Sequence, residues 1–319
     1  MKILNSMYGQ AIGDMLGEPV EGLTREEIAT QHHTITGFIS PPSITDDTIM
    51  THLVVRSICE TGRADRRHIA QTFLGNRARI PRMGPTTAQA LFGLAEDPDF
   101  TPTTGTTDGA AMRAPAIAWL FPADLVIPNA IESSLATHGA PVAIAGACAV
   151  ACAVSKAIAG ADIGTVIRAG VHGAREVSAD LASLILEAVS LASEGSLEDA
   201  IDIIGCGIET EEAVPAVFAI ISKHHDFRSA VLAAVNLGGD ADTIAGMAGA
   251  IIGSMSPISR DWIDACRGQP EAMILESWRC VSRFTDSTDR RSETFINTRQ
   301  KTPLLVAGMN AADWLFWLP

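Results

Sequence analysis

Two short stretches carry the side chains best suited to chemistry. One runs from Asn236 to Ser254, NLGGDADTIAGMAGAIIGS. In it Gly238 and Gly239 free the backbone for a tight turn, and Asp240, Asp242 and Thr243 follow just ahead of an apolar, small-residue helix. The other is Ser43 to Thr48, SITDDT, which leads into the apolar run IMTHLVVRSI. Carboxylates and hydroxyls at a helix start have two uses: they cap the helix, or they offer hard oxygen ligands to a divalent cation. Asp46 and Asp47 cannot both be simple caps, because a helix has one N-cap position. Two like charges side by side are also costly unless a cation is present. If the two helix starts meet in space, Asp46, Asp47, Asp240 and Asp242 converge with the hydroxyls of Thr45 and Thr243. Two divalent cations about 3.5–4 Å apart would relieve that repulsion and clamp an oxygen nucleophile. All-oxygen ligation selects Mg²⁺ or Mn²⁺ over zinc.

The elements that must position these residues read as helices throughout, so the expected class is all-α. Hydrophobic residues make up 47% of the 319-residue chain while aromatics make up only 5%, so the core is built from small aliphatic side chains that suit close helix packing. Apolar residues recur at helical spacing over 3–17, with Gly9, Gly13 and Gly17 on one face, where a second helix can approach closely. Thr24 with Glu27 three residues later has capping-box spacing. Residues 30–44 are turn-rich, and a basic, polar helix follows Arg63. Beyond the Gly84-Pro85 turn, Thr86 and Thr87 open another helix, and a loop over 98–107 ends in Gly105-Thr106-Thr107-Asp108-Gly109. That loop runs into AAMRAPAIAWL, where a helix start would present backbone N–H groups to an anion. Arg113 sits in the first turns of that segment, where a charge within an apolar run calls for a partner.

Further helices are expected over 129–135, 161–190, 197–204 and 212–222. His138 precedes a helix over 140–159 and reads as a surface or capping residue. The helix itself is nearly of membrane length, but it is rich in Ala and Gly and carries Lys156, which points to a buried central helix. His224-His225-Asp226 reads as a solvated turn. From 258 to 319 the chain is more charged and holds Trp262, Trp278, Trp314 and Trp317, so it is expected to be an extension packed on a catalytic unit spanning 1–257. Its terminal aromatic cluster would dock on the core or contact another subunit.

The excess of 37 acidic over 23 basic residues, with no basic stripe, argues against nucleic-acid binding. Six scattered cysteines without a CxxC pair, among them Cys148 and Cys152 in an apolar run, read as buried thiols. Without a signal-peptide pattern at the N-terminus, a cytoplasmic location is expected, with no membrane partner. The sequence carries no indication of oligomeric state.

In this order, GDMLGEPVE, SITDDT, GTTDGAAMR, THGAPVA and NLGGDADTIAGMAGAIIG resemble the ADP-ribosylglycohydrolase family over residues 5–255. That family includes hydrolases that remove ADP-ribose from arginine or serine, and the dinitrogenase reductase-activating glycohydrolase. The resemblance implies a compact all-α domain with two Mg²⁺ or Mn²⁺ ions at the base of a cleft. Their ligands would be Thr45, Asp46, Asp47, Asp240, Asp242 and Thr243, with Asp46 and Asp242 counted in the catalytic set. Glu21, on a mobile flap, would be the general base or the positioner of the attacking water; Glu18 does not align with it. Gly105, Thr106, Thr107, Asp108 and Gly109 would cradle a diphosphate, and His138 would contact the phosphate or ribose region.

Two positions depart from the family pattern. Asp108 stands where members usually carry Asn, and an ionised carboxylate only accepts hydrogen bonds and repels a diphosphate. Arg82, in Arg82-Met83-Gly84-Pro85-Thr86-Thr87, stands where the nitrogenase-related members carry Asp. The expected reaction is metal-dependent hydrolysis at C1 of an ADP-ribosyl group, carried by a protein or a small molecule. Hydrolysis of a small nucleoside-like ribosyl compound is the alternative, since Asp108 accepts hydrogen bonds from hydroxyls. A non-catalytic ADP-ribose-binding or structural protein is the third reading.

Overall fold

A computed structural model describes residues 1–97 and 99–299; Trp314, Trp317 and the terminal aromatic cluster lie outside the described residues. Among the described residues there is no strand, only isolated bridges joining Thr24 to Gly238 and Thr107 to Glu209. The all-α expectation holds. The helices are α1 (Lys2–Gly17), α2 (Arg25–His32), α3 (Asp46–Thr61), α4 (Arg66–Asn76), α5 (Pro85–Glu96), α6 (Pro115–Leu120), α7 (Val126–Ser134) and α8 (Pro141–Ala159). They continue as α9 (Ile163–Arg175), α10 (Ala179–Glu194), α11 (Leu197–Ile204), α12 (Thr210–Lys223), α13 (Phe227–Leu237), α14 (Ala241–Gly253), α15 (Arg260–Ala265) and α16 (Gln269–Arg299).

The molecule is built around the seam between α1 and α14. A Cβ placed on Gly9 would lie 2.2 Å from the Gly249 carbonyl oxygen, one on Gly13 2.1 Å from that of Ala245, and one on Gly17 2.3 Å from the Asp242 nitrogen. The glycine face read from the sequence is therefore in backbone contact with its partner along its whole length. The seam brings the C-terminal end of α1 beside the N-terminal end of α14. Around it, α13 and α12 pack on α14, while α8 lies buried among α6, α7, α9, α12 and α14. On the other side α3 packs on α1, α4 and α6, and α16 crosses α3, α1 and α6, burying Ile274 and Val281.

Local signals account for several boundaries. Thr24 and Glu27 make both bonds of a capping box. Gly62 in the left-handed region closes α3, and Gly160 closes α8. Other boundaries differ from the sequence reading. AAMRAPAIAWL does not begin as an α-helix: Asp108–Ala110 is a 3-10 turn, and α6 starts only at Pro115. Proline lacks an N–H and clashes with a preceding helical turn, so it serves as the first residue of a helix rather than its interior. α7 starts at Val126, ahead of the expected 129. The segment read as helical over 161–190 is two helices, with Ser178 capping the second through Leu181 N–H.

Candidate functional site

The two acidic helix starts meet. Thr243 Oγ1 lies 3.3 Å from Asp47 Oδ2, and Thr45 Oγ1 lies 3.1 Å from the same oxygen. Glu21, Asp240 and Asp242 each offer a carboxylate oxygen within 4.8 Å of the other two. Thr45, Asp46, Asp47, Asp240, Asp242 and Thr243 are all buried, at 2–8% exposure, so this is an interior cluster rather than a solvated acidic face.

The capping use of these carboxylates can now be checked against geometry. Asp240 is the N-cap residue of α14 by position, yet its side chain makes no capping hydrogen bond. At α3 the Thr45 hydroxyl accepts from Asp47 N–H. The rest of the capping comes from Asp14 on α1, whose carboxylate accepts from Thr45 N–H at 3.1 Å, from Thr48 N–H at 3.1 Å and from the Thr48 hydroxyl at 2.5 Å. Asp14 lies inside the GDMLGEPVE motif, but nothing in the sequence says that it reaches across to α3. Asp46 lines the cleft beside Gly84, in the loop before α5.

Burial and mutual repulsion dominate the electrostatics. Burial, then the charges of Asp14 and Glu21, push Asp46 up to about 7. Asp47 and Asp242 are raised well above the carboxylate range, first by burial and then by neighbouring carboxylates. Asp14 is pushed up to about 6 by burial, against the pull of its threonine partners. The cleft at this cluster encloses about 70 Å³, and Arg82 is the one basic side chain among its lining residues. Closely spaced hard oxygens with little counter-charge are the donor type that Mg²⁺ or Mn²⁺ takes, and Thr45, Asp46, Asp47, Asp240, Asp242 and Thr243 are the residues that would hold such ions.

Beside the cluster, the loop from Gly105 to Gly109 is fixed on several sides. Thr210 N–H donates to Thr106 O, Asp108 N–H to Ile208 O, and Gly139 N–H to Thr104 O. Gly105 has φ +98°, and a Cβ there would strike the Thr86 methyl at 2.3 Å. Thr106 faces solvent and Thr107 is half-buried. Asp108 is buried and turned inward against Asp240, and its Oδ2 has no hydrogen-bond partner. Burial and the Asp240 charge raise its carboxyl well above the usual range. The carboxyl thus belongs with the acidic cluster and does not project outward from the loop.

His138 has no exposed surface, so it is neither a surface nor a capping residue. Its Nδ1 lies 2.7 Å from Thr137 Oγ1 and its Nε2 lies 3.0 Å from Thr107 Oγ1. Arg113 Nη2 donates to Thr137 Oγ1 at 2.7 Å, and Thr107 Oγ1 donates to Thr86 Oγ1 at 3.0 Å. A guanidinium only donates. The Thr137 hydroxyl therefore gives its proton to Nδ1, and His138 carries its own on Nε2, donating to Thr107. Burial, reinforced by the Arg113 charge, holds the ring well below its ordinary pKa and keeps it neutral. His138 meets the loop at Thr107 and lies against Gly109.

Arg113 is fully buried, and burial lowers its guanidinium to about 9. Its partner is not a carboxylate. It donates to the carbonyls of Gly109, Ser133 and Ser134 and lies 5.4 Å from the centroid of the Phe73 ring. The sequence called for a partner, and backbone carbonyls with an aromatic face supply it.

Glu21 follows a 3-10 turn over Glu18–Val20. Its segment is tied to the glycine pair by Gly22 N–H to Gly239 O at 2.8 Å and Gly239 N–H to Leu23 O at 2.9 Å. Arg82 reaches over it, with Nη1 2.5 Å from Glu21 Oε2 and Nη2 2.9 Å from Glu18 Oε1. Away from the site, His224 and His225 lie on a turn, and Asp226 caps α13 through Ser229 N–H.

This fold is that of the ADP-ribosylglycohydrolases. The model of the ADP-ribosylglycohydrolase family matches residues 1–293, and the chain belongs to that family. The match runs beyond residue 255 and takes in α15 and most of α16. An uncharacterised protein of Archaeoglobus fulgidus is 32% identical over 285 residues, covering 83% of this chain and 92% of its own. The uncharacterised protein YegU of Escherichia coli K12 is 30% identical over 296 residues, covering 81% and 88%. The ADP-ribosyl-[dinitrogen reductase] glycohydrolase of Rhodospirillum rubrum is 29% identical over 267 residues, covering 79% and 85%. Among solved structures, an ADP-ribosylglycohydrolase-related protein complex shares the fold at a TM-score of 0.69 and 24% identity, covering 88% of this chain and 98% of that one.

Proposed function

We propose that this protein hydrolyses the glycosidic bond at C1 of an ADP-ribosyl group, using two Mg²⁺ or Mn²⁺ ions held between the starts of α3 and α14. The observation that carries the reading is the buried cluster of Asp46, Asp47, Asp240 and Asp242, of which only Asp242 accepts a hydrogen bond from a helix-start N–H, that of Thr243. Burying charges that repel one another destabilises a fold unless a cation joins them. Held by Thr45, Asp46, Asp47, Asp240, Asp242 and Thr243, such cations would supply Lewis-acid chemistry and positive charge beside the ribose ring.

The chain's own residues supply the rest. Glu21, at the edge of the cluster and half-exposed, takes the proton from the attacking water, a role set by reach more than by pKa. Asp14 fixes the start of α3 through Thr45 and Thr48, and the stapled loop over Gly105–Gly109 offers backbone N–H groups and the Thr106 hydroxyl to the diphosphate. The inward turn of Asp108 takes its carboxyl away from a diphosphate on that loop, which favours an ADP-ribosyl substrate over a nucleoside.

The test is a hydrolysis screen with Mn²⁺ over ADP-ribosyl-arginine, a peptide ADP-ribosylated on serine, and a panel of nucleosides. Asp242→Ala serves as the inactive control. Release of ADP-ribose by the wild type alone is the expected result. Turnover of nucleosides only, or full turnover by Glu21→Gln, would refute the assignment. A protein that turns over none of the substrates and gains no thermal stability from Mn²⁺ would be a binding or structural member of the family.

A further inference from the structure

Glu21 stands between two claims. One of its oxygens lies within 4.8 Å of carboxylate oxygens on Asp240 and Asp242, inside reach of anything they bind. Its Oε2 is engaged by Arg82 at 2.5 Å. Arg82 spreads its fork over the whole turn, adding Glu18 Oε1 at 2.9 Å and the Glu18 carbonyl at 3.2 Å. A planar guanidinium suits such multi-point contact, which an ammonium cannot reproduce. The backbone at Arg82 has φ +53°, a conformation that side-chain-bearing residues seldom adopt, and His33 is the only other such case among the described residues. Two residues on, Gly84 lines the cleft together with Asp46. One short loop therefore borders the cluster and grips the carboxylate at its rim.

We propose that Arg82 is the positioning residue for Glu21. By holding Oε2 it keeps that carboxylate at the edge of the site, free to serve the attacking water and withheld from the metal ligand set. This rests on the two-cation hydrolase reading above. A through-space charge effect on Asp242, or a purely structural role for the loop, would look different in a double-mutant cycle.

The cycle uses Mn²⁺ alone as the probe, titrated by calorimetry into metal-free wild type, Arg82→Gln, Glu21→Gln and the double variant. Arg82→Gln frees Glu21 to join the ligands, so Mn²⁺ binding tightens by about 10-fold, the scale on which partners of ligating groups tune affinity. In the Glu21→Gln background the same substitution moves affinity less than about 2-fold. Arg82→Lys, which keeps the charge and loses the fork, gives an intermediate shift, and it carries the cycle if Arg82→Gln does not fold. On ADP-ribosyl-arginine kcat falls in Arg82→Gln while metal affinity rises; a simple loss of structure would lower both. Equal affinity changes in the two backgrounds, or none in Arg82→Gln, overturn the inference and leave the hydrolase reading standing. A wild type that binds no Mn²⁺ overturns both.

Discussion

Replacing Asp46 by Asn should stabilise the metal-free protein, and the gain should grow with pH. Asp46 is 8% exposed and its carboxyl is held at about 7 instead of 3.8. Because the folded-state value is raised, the unfolded chain ionises first as pH climbs past 3.8, and the folded state loses stability until about pH 7. The full difference corresponds to about 4 kcal/mol above that window, and about 1–2 kcal/mol at pH 5. Asn keeps the shape, so it removes the charge and little else. At roughly 2 °C per kcal/mol for a chain of this size, the variant should melt about 8 °C above wild type in EDTA at pH 8, with a smaller lead at pH 5. Repulsion shared among Asp14, Glu21 and Asp46 makes this an upper figure. Adding Mn²⁺ to 100 times its dissociation constant should stabilise wild type by about 2.7 kcal/mol per site and move the variant far less. Scanning fluorimetry in EDTA and in Mn²⁺, at both pH values, reads all of this. If Asp46→Asn melts at or below wild type in EDTA at pH 8, the claim that these carboxylates are buried against one another without compensation is wrong.

Two further substitutions probe the scaffold. Asp14→Ala strands Thr45 N–H, Thr48 N–H and the Thr48 hydroxyl in a buried place, and should cost about 2–4 kcal/mol in urea unfolding; a loss under about 1 kcal/mol would mean that water replaces the cap. Gly13→Ala drives a methyl to 2.1 Å from the Ala245 carbonyl and should cost about 3 kcal/mol or more, or yield no folded protein, while Gly37→Ala, with nothing within 4 Å, should melt within about 2 °C of wild type.

What the sequence made legible was local, or repeated at a fixed spacing. The capping box at Thr24, the glycine face of α1 and the two acidic helix starts all follow from a few neighbouring residues. Their meeting could be posed as a condition, and the structure meets it through Thr243 and Asp47. What the sequence hid depends on contacts between distant segments. Asp14 caps a helix 31 residues away, Arg82 reaches back to Glu18 and Glu21, and Asp108 turns inward to Asp240. His138 was misread because a polar residue at a helix start is usually solvated, and only the packing of Thr107, Thr137 and Arg113 around it shows otherwise. Pro115 was a signal available in the sequence: it marked where α6 begins, and AAMRAPAIAWL was nevertheless read as one helix.

The contact between α1 and α14 divides the chain into parts that tolerate change and parts that do not. Helices whose backbones touch cannot slide or roll by even a methyl's width, so the spacing between Asp14 on one helix and Asp240 and Asp242 on the other, all at the same end of the seam, is machined into the backbone and owes little to side-chain adjustment. The turn at Gly37 meets no such constraint, since nothing lies within 4 Å of a Cβ placed there, and it can be recut without retuning the carboxylates. An engineer wanting to alter the chain should begin at that turn. A library at positions 9, 13 and 17 would return glycine.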